Sequence, residues 1–200
     1  MVYSVHPSVL MIQKWTATLK QNTGRPLEEW VALVKKSGPA SAKDRRDWLK
    51  KEHSVATNSA VWIAERAEGK ENMGADPKKY LRTAEQWVEE MFSGPKSALR
   101  PIYDELLVVG KGLGKDVKIS PCRTIVPLYR RHVFAQIKPA TKTRIDLGFS
   151  LGNRKATERL IDTGGFAKKD RITHRIPISS TDEIDSEVKR WLRLAYDADA

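Results

Sequence analysis

The chain has 200 residues, 40% hydrophobic and 30% charged, with a formal net charge of +11. That balance excludes a disordered chain, and no window reaches the roughly 18 apolar residues of a membrane span. A single cysteine, Cys122, excludes an intrachain disulfide, which fits a reducing compartment. The opening residues, MVYSVHPSVLMIQKW, lack the cationic and apolar regions of a secretory signal, so the expected location is the cytoplasm.

Helical spacing dominates the first hundred residues. Ile12, Trp15 and Leu19 share one helix face and Gly24 ends it. Pro26 opens a second helix with Glu28 and Glu29 near its positive end; Leu27, Trp30 and Val34 form its stripe, and Gly38-Pro39 closes it. Ser41 with Asp44 three residues on starts a third helix carrying Trp48 and Leu49. A fourth runs from about Asn58 to Ala67. Gly69 to Gly74 reads as a polar, mobile loop. Asp76-Pro77 begins a fifth, with Tyr80, Leu81, Ala84, Trp87, Val88 and Met91 on a continuous apolar face. After Gly94-Pro95, a sixth is expected over about Ser97 to Lys111, with Pro101 tolerable only in its first turn. The tryptophans on these stripes read as core.

After Gly114 the period falls to 2. Val117–Ser120, Arg123–Arg131, His132–Pro139 and Thr143–Leu151 read as strands, with Lys138–Lys142 a hairpin turn. A short helix is expected near Ala156–Ile161 and a last strand over Thr173–Ile178. Ser180-Thr-Asp-Glu183 has the form of a capping box for a final helix with Ile184, Val188, Trp191, Leu192 and Ala195 inward. The implied fold class is α+β: a helical module over 1–74, then a small, mainly antiparallel sheet packed with two or three helices over 75–200. The linker falls at about 68–76, and the helix over 77–92 is assignable to either part. The connections are too short for helical crossovers except near 152–172.

The runs GPKSALRPIY (Gly94–Tyr103), PCRTIVPLYRRHVFAQIKP (Pro121–Pro139) and TRIDLG (Thr143–Gly148) resemble a widespread bacterial domain known only as a domain of unknown function, sometimes labelled a predicted transport protein. The first seventy residues resemble the small helical module that often precedes it. The resemblance implies a two-part chain and no particular chemistry. One departure stands out: where that module is expected to carry a Gly/His-rich turn after Trp48–His53, this chain has Ser54-Val-Ala-Thr-Asn58.

Charge is concentrated rather than spread. Residues 1–94 hold 15 Lys+Arg against 12 Asp+Glu, whereas residues 118–175 hold 14 against 4. Such a stretch suits an anionic partner, and it also suits a merely solubilising surface. Gly110-Lys-Gly-Leu-Gly-Lys115 lacks the spacing, the preceding strand and the Ser/Thr of a phosphate loop, so it reads as a helix end. The four histidines show no ligand spacing and Cys122 reads as a small hydrophobe; no metal, cofactor or catalytic set is expected.

Strand alternation places Val133, Ala135 and Ile137 inward, and His132, Phe134, Gln136 and Lys138 on the other face. That face then combines Arg123, Lys138 and Arg144 with Tyr129 and Phe134, the pairing of charge and rings used by single-stranded nucleic acid. The alternative is that helices cover both faces, making Phe134 and Tyr129 core and Arg144–Asp146 a surface pair. A different reading gathers Arg123, Arg131, Lys142, Arg144 and His174 around a pocket for a small or phosphorylated ligand. The leading expectation is a non-enzymatic binder of an anionic partner, nucleic acid before a small ligand. Lys43, Arg46 and Lys50 share a face of the third helix, but Asp44, Asp47 and Glu52 interrupt it, so the helical module is expected to pack against the α+β domain or a protein partner rather than bind duplex DNA.

Overall fold

Capping residues set the helix boundaries in the first half of the chain, as seen in a computed structural model describing residues 2–70 and 76–200. The chain divides into two compact units, His6–Tyr80 and Leu81–Ala200, the second including the N-terminal strip that ends at Val5. Most of the expected loop Gly69–Gly74, and the expected boundary at 74/75, lie outside the described residues.

In the first unit α1 (Pro7–Thr23) ends at Gly24, whose φ of 79° is the left-handed conformation glycine adopts freely. α2 (Leu27–Ser37) starts after Pro26 and stops at Gly38. α3 (Ala42–His53) is capped by Ser41, which accepts the Asp44 N–H at 3.1 Å. It ends at Ser54, which takes the left-handed conformation (φ 54°) at the start of the segment that departs from the expected glycine-bearing turn. α4 (Thr57–Ala67) completes the unit. Leu19, Trp30, Val34, Leu49 and Ile63 are buried together, with Trp15 and Trp48 at the margin. The indole N–H groups are satisfied locally: Trp15 donates to Ser59 (2.9 Å) and Trp30 to Thr23 (2.8 Å).

α5 (Pro77–Met91) begins at Asp76, whose carboxylate accepts the Lys78 N–H at 2.8 Å. Its C-terminal half belongs to the second unit, where Val88, Met91 and the following Phe92 enter the core. The expected helix from Ser97 instead begins as a 3-10 turn over Gly94–Leu99, and α6 proper runs Arg100–Lys111. Pro101 supplies no N–H and cannot sit beyond the first α-helical turn, so the start shifts to Arg100.

The sheet has six strands, all antiparallel: β1 (Lys118–Ile119), β2 (Val126–Tyr129), β3 (Val133–Pro139), β4 (Ile145–Phe149), β5 (Ile161–Asp162) and β6 (His174–Ile178), in the order β1-β2-β3-β4-β6-β5. No helix forms at Ala156–Ile161. The Thr157 hydroxyl accepts the Leu160 N–H at 3.1 Å, a local turn that competes with a helix, and Ile161–Asp162 pair with β6. The final helix α7 (Ser186–Asp197) also begins later than its apparent capping box. The Ser180 side chain makes no capping hydrogen bond; Thr181–Glu183 form a 3-10 turn, and Asp185 is the cap of α7, accepting the Val188 N–H at 3.1 Å. Trp191, Leu192 and Ala195 of α7 and Leu99, Ile102 and Leu106 bury against Val126, Leu128, Ala135, Ile137, Leu147 and Ile176. No described helix is long and apolar enough to cross a membrane.

One residue breaks the alternation. β2 pairs with β3 as Leu128↔Ala135 and then Tyr129↔Val133, so Phe134 has no partner on β2. This is a β-bulge, two residues of β3 opposite one of β2. Phe134 and Ala135 are both fully buried, and the Phe134 ring meets Tyr196 of α7 edge-on at 5.6 Å. The expectation that Phe134 lies on the open face is therefore corrected: the extra residue rotates it into the core and leaves Val133 on the opposite face.

Candidate functional site

The face of the sheet opposite α6 and α7 is built from cross-strand rows. Gln136, Gly148 and Arg175 stand side by side on β3, β4 and β6, and Lys138 faces Asp146 in the next row. The chain between β5 and β6 folds back over this face. It comes so close that a Cβ on Gly148 would lie 2.7 Å from the Ile172 methyl and 3.0 Å from Gln136; only glycine admits the overlying segment. Between sheet and segment lies an open hollow of about 670 Å³, lined by Lys138, Asp146, Arg171 and Arg175 with Val133, Gln136 and Ile172.

Asp146 organises the charge. Its Oδ1 accepts from Arg144 Nε at 3.0 Å and its Oδ2 from Arg175 Nη1 at 2.9 Å. One carboxylate thus holds two guanidiniums, one from the residue before β4 and one from the neighbouring β6. Lys138 is exposed and makes no ion pair among the described residues. Arg171 is fixed from behind. Its Nε donates to the Val133 carbonyl at 3.0 Å, and its Nη2 pairs with Asp199, a carboxylate only 5% exposed. Asp199 also accepts the His132 backbone N–H (2.7 Å) and faces its ring Nδ1 (3.0 Å). Burial pushes the Asp199 carboxyl up, but the His132 hydrogen bonds and the Arg171 charge outweigh it and hold the group below the usual carboxylate range.

The sequence-selected residues fare unequally. Lys138 and Arg144 meet at the hollow through Asp146. Arg123 is exposed in the bend before β2, and Lys142 in the β3–β4 turn. Arg131 lies in the β2–β3 turn and donates to the Ala200 carbonyl at 3.0 Å. Tyr129, half-buried at the end of β2, has its phenol pushed up to about 12 by burial and then by the Cys122 thiol. Phe134 is core. His174 is 1% exposed: its Nδ1 meets the Thr173 hydroxyl (2.9 Å) and its Nε2 the Arg154 carbonyl (2.8 Å), the pattern of the Nε2–H tautomer. It is a structural histidine tying the 151–157 segment to β6, which corrects its place among ligand-binding candidates.

Arg171 and Arg175 were missed. For Arg175 a signal existed, since His174, Ile176 and Ile178 alternate inward and leave it beside Asp146. Arg171 had none, being placed by a long connection. The Gly110–Lys115 run is indeed the end of α6 and its loop. Gly114 packs against the Tyr196 hydroxyl, which donates to Asp116 at 2.5 Å while Arg130 adds a second hydrogen bond at 2.8 Å. Burial pushes the Cys122 thiol up, and no group of three or more His, Cys, Asp or Glu side chains converges as a metal site among the described residues.

A family model described as a domain of unknown function, DUF5655, matches residues 88–199, and another, DUF4287, matches residues 12–68. No curated protein and no solved structure gives a significant match.

Proposed function

The chain belongs to the DUF5655 family, and from that premise we propose that its α+β unit is a binding module for a small phosphorylated or carboxylated ligand, received in the hollow on the sheet face. The observation that carries this reading is the Arg144–Asp146–Arg175 clamp with Lys138 directly across from it. Lys138, Arg144, Arg171 and Arg175 stand at or beside the hollow against the carboxylates Asp146 and Asp170, with Asp199 paired to Arg171 from behind. The bound carboxylate already orders two forks, so less side-chain freedom is lost when an anion arrives. The concave shape favours a compact ligand over an extended strand, and with Phe134 buried the sheet face lacks the central ring of a stacking platform.

Titration calorimetry of the full chain with inorganic pyrophosphate tests this. Binding is expected to weaken with salt, and Lys138→Glu with Arg175→Ala to reduce affinity at least tenfold. The variant should still unfold in a single cooperative transition, at a lower temperature because Asp146 loses a partner and gains a like charge opposite it. No heat, or equal affinity in the double variant, overturns the reading.

A nucleic-acid strand is the second reading, favoured by the exposed cations Arg123, Lys142, Lys155, Lys168 and Lys169, which make no ion pairs among the described residues. Its signature is affinity for a single-stranded oligonucleotide that falls steeply with salt. Anisotropy no stronger than for an unrelated protein of the same charge refutes it.

A further inference from the structure

The segment joining β5 to β6 is stapled rather than loose. The Thr163 hydroxyl donates to the Thr173 carbonyl (2.9 Å) and lies within reach of that of Ile172 (3.2 Å), while the Asp170 N–H returns to the Gly165 carbonyl (2.8 Å). Gly165 is buried where a side chain would strike the Ile172 carbonyl, and Arg171 is bound to Val133 and Asp199. This frame carries one residue that no core claims. Phe166 is 55% exposed, the one aromatic among the exposed large hydrophobic residues of the described chain. Its carbonyl accepts the Lys169 N–H at 3.1 Å, so Phe166 to Lys169 form a tight turn. Lys168 and Lys169 are exposed and without ion pairs among the described residues.

A lone exposed apolar residue is ordinary. This one is held by a fixed turn, flanked by two lysines, and set three residues from Thr163 and four from Asp170, both of which line the hollow. Three residues span at most about 11 Å of chain, a distance comparable to that between the base and the terminal phosphate of a nucleotide. We propose that Phe166 is a stacking surface for a nucleobase whose phosphates enter the hollow, making the ligand a nucleotide, free or as a unit of a single strand. A ring presents a face to any base, and neighbouring cations serve the phosphates. The inference rests on the reading of the hollow as an anion site and adds the base to it.

Calorimetry with ATP and with inorganic tripolyphosphate, which shares the phosphate chain but lacks the base, separates the two ideas. ATP is expected to bind about tenfold more tightly, the scale of one stacked base. Phe166→Ala should erase that difference while leaving tripolyphosphate binding unchanged, and Phe166→Trp should preserve it. Equal affinities for the two ligands, or an unaltered preference in Phe166→Ala, overturn the inference while the hollow stands. A Phe166-dependent preference for ATP that survives Lys138→Glu with Arg175→Ala keeps the base contact and removes its phosphates from the hollow. An oligothymidylate arm assigns the source: tighter binding than ATP, lost in Phe166→Ala, means a strand, and weaker binding means a free nucleotide.

Discussion

Replacing Phe134 with alanine should destabilise the α+β unit by about 3–5 kcal/mol, the range for deleting a fully buried aromatic side chain. Phe134 is 0% exposed and its ring meets Tyr196 edge-on, a geometry worth about 0.5–1.5 kcal/mol beyond area, so the upper part of the range applies. Against a typical domain stability of about 5–15 kcal/mol, that is a large fraction of the total. Val133→Ala, by contrast, removes methyls from a half-buried residue lining an open hollow and should cost less than about 1 kcal/mol. The order of the two losses is the informative quantity, because unbroken alternation predicts the reverse. Equilibrium urea unfolding of wild type, Phe134→Ala and Val133→Ala reads it directly, with Phe134→Leu as a control that retains most of the volume. A Phe134→Ala midpoint equal to that of wild type, or a larger loss in Val133→Ala, would refute the bulge and return Phe134 to the open face.

Asp199→Asn should cost about 1–3 kcal/mol at neutral pH, since its amide must turn a donor toward the His132 N–H or the Arg171 guanidinium. The carboxyl is held low in the fold, so its contribution is complete above the unfolded value near 4 and lost as pH falls through the folded one; a wild-type-minus-variant gap that persists undiminished at pH 2 contradicts this. Tyr129 should ionise near pH 12, so the difference in 295 nm absorbance between wild type and Tyr129→Phe should titrate there. Because that value is raised, stability is intact below about pH 10 and declines as pH rises toward 12; a midpoint at 10 would place the ring in solvent.

Local signals that act within one turn were readable. Gly24, Ser41 and Asp76 mark helix ends where their chemistry demands, and the change of period after Gly114 locates the sheet. Signals that depend on competition between neighbours were not. Ser180 and Asp185 both have the form of an N-cap, and Asp185 prevails while Glu183 turns back to the Ser179 N–H. The bulge at Phe134 is invisible in a strand whose alternation, Val133, Ala135 and Ile137 against Phe134, Gln136 and Lys138, reads as unbroken. The hollow was half legible: Lys138, Arg144 and Asp146 follow from period 2, whereas Arg171 reaches it only because Asp199, 28 residues away, fixes its position.

The brevity of the outermost strands governs how this sheet meets other molecules. β1 and β5 are two residues each; the Ser4 N–H already occupies the Ile119 carbonyl on one rim. On the other, the stretch of β6 beyond β5 contains Pro177, which has no N–H to offer. Neither rim presents the row of unpaired amides on which a foreign strand, or a second copy of the chain, extends a ladder. Strand addition, the commonest route by which antiparallel sheets aggregate or capture extended peptides, is thereby closed off by construction. The surface these rims leave open to contact is the face of the sheet, made of side chains, rather than its margin of backbone groups.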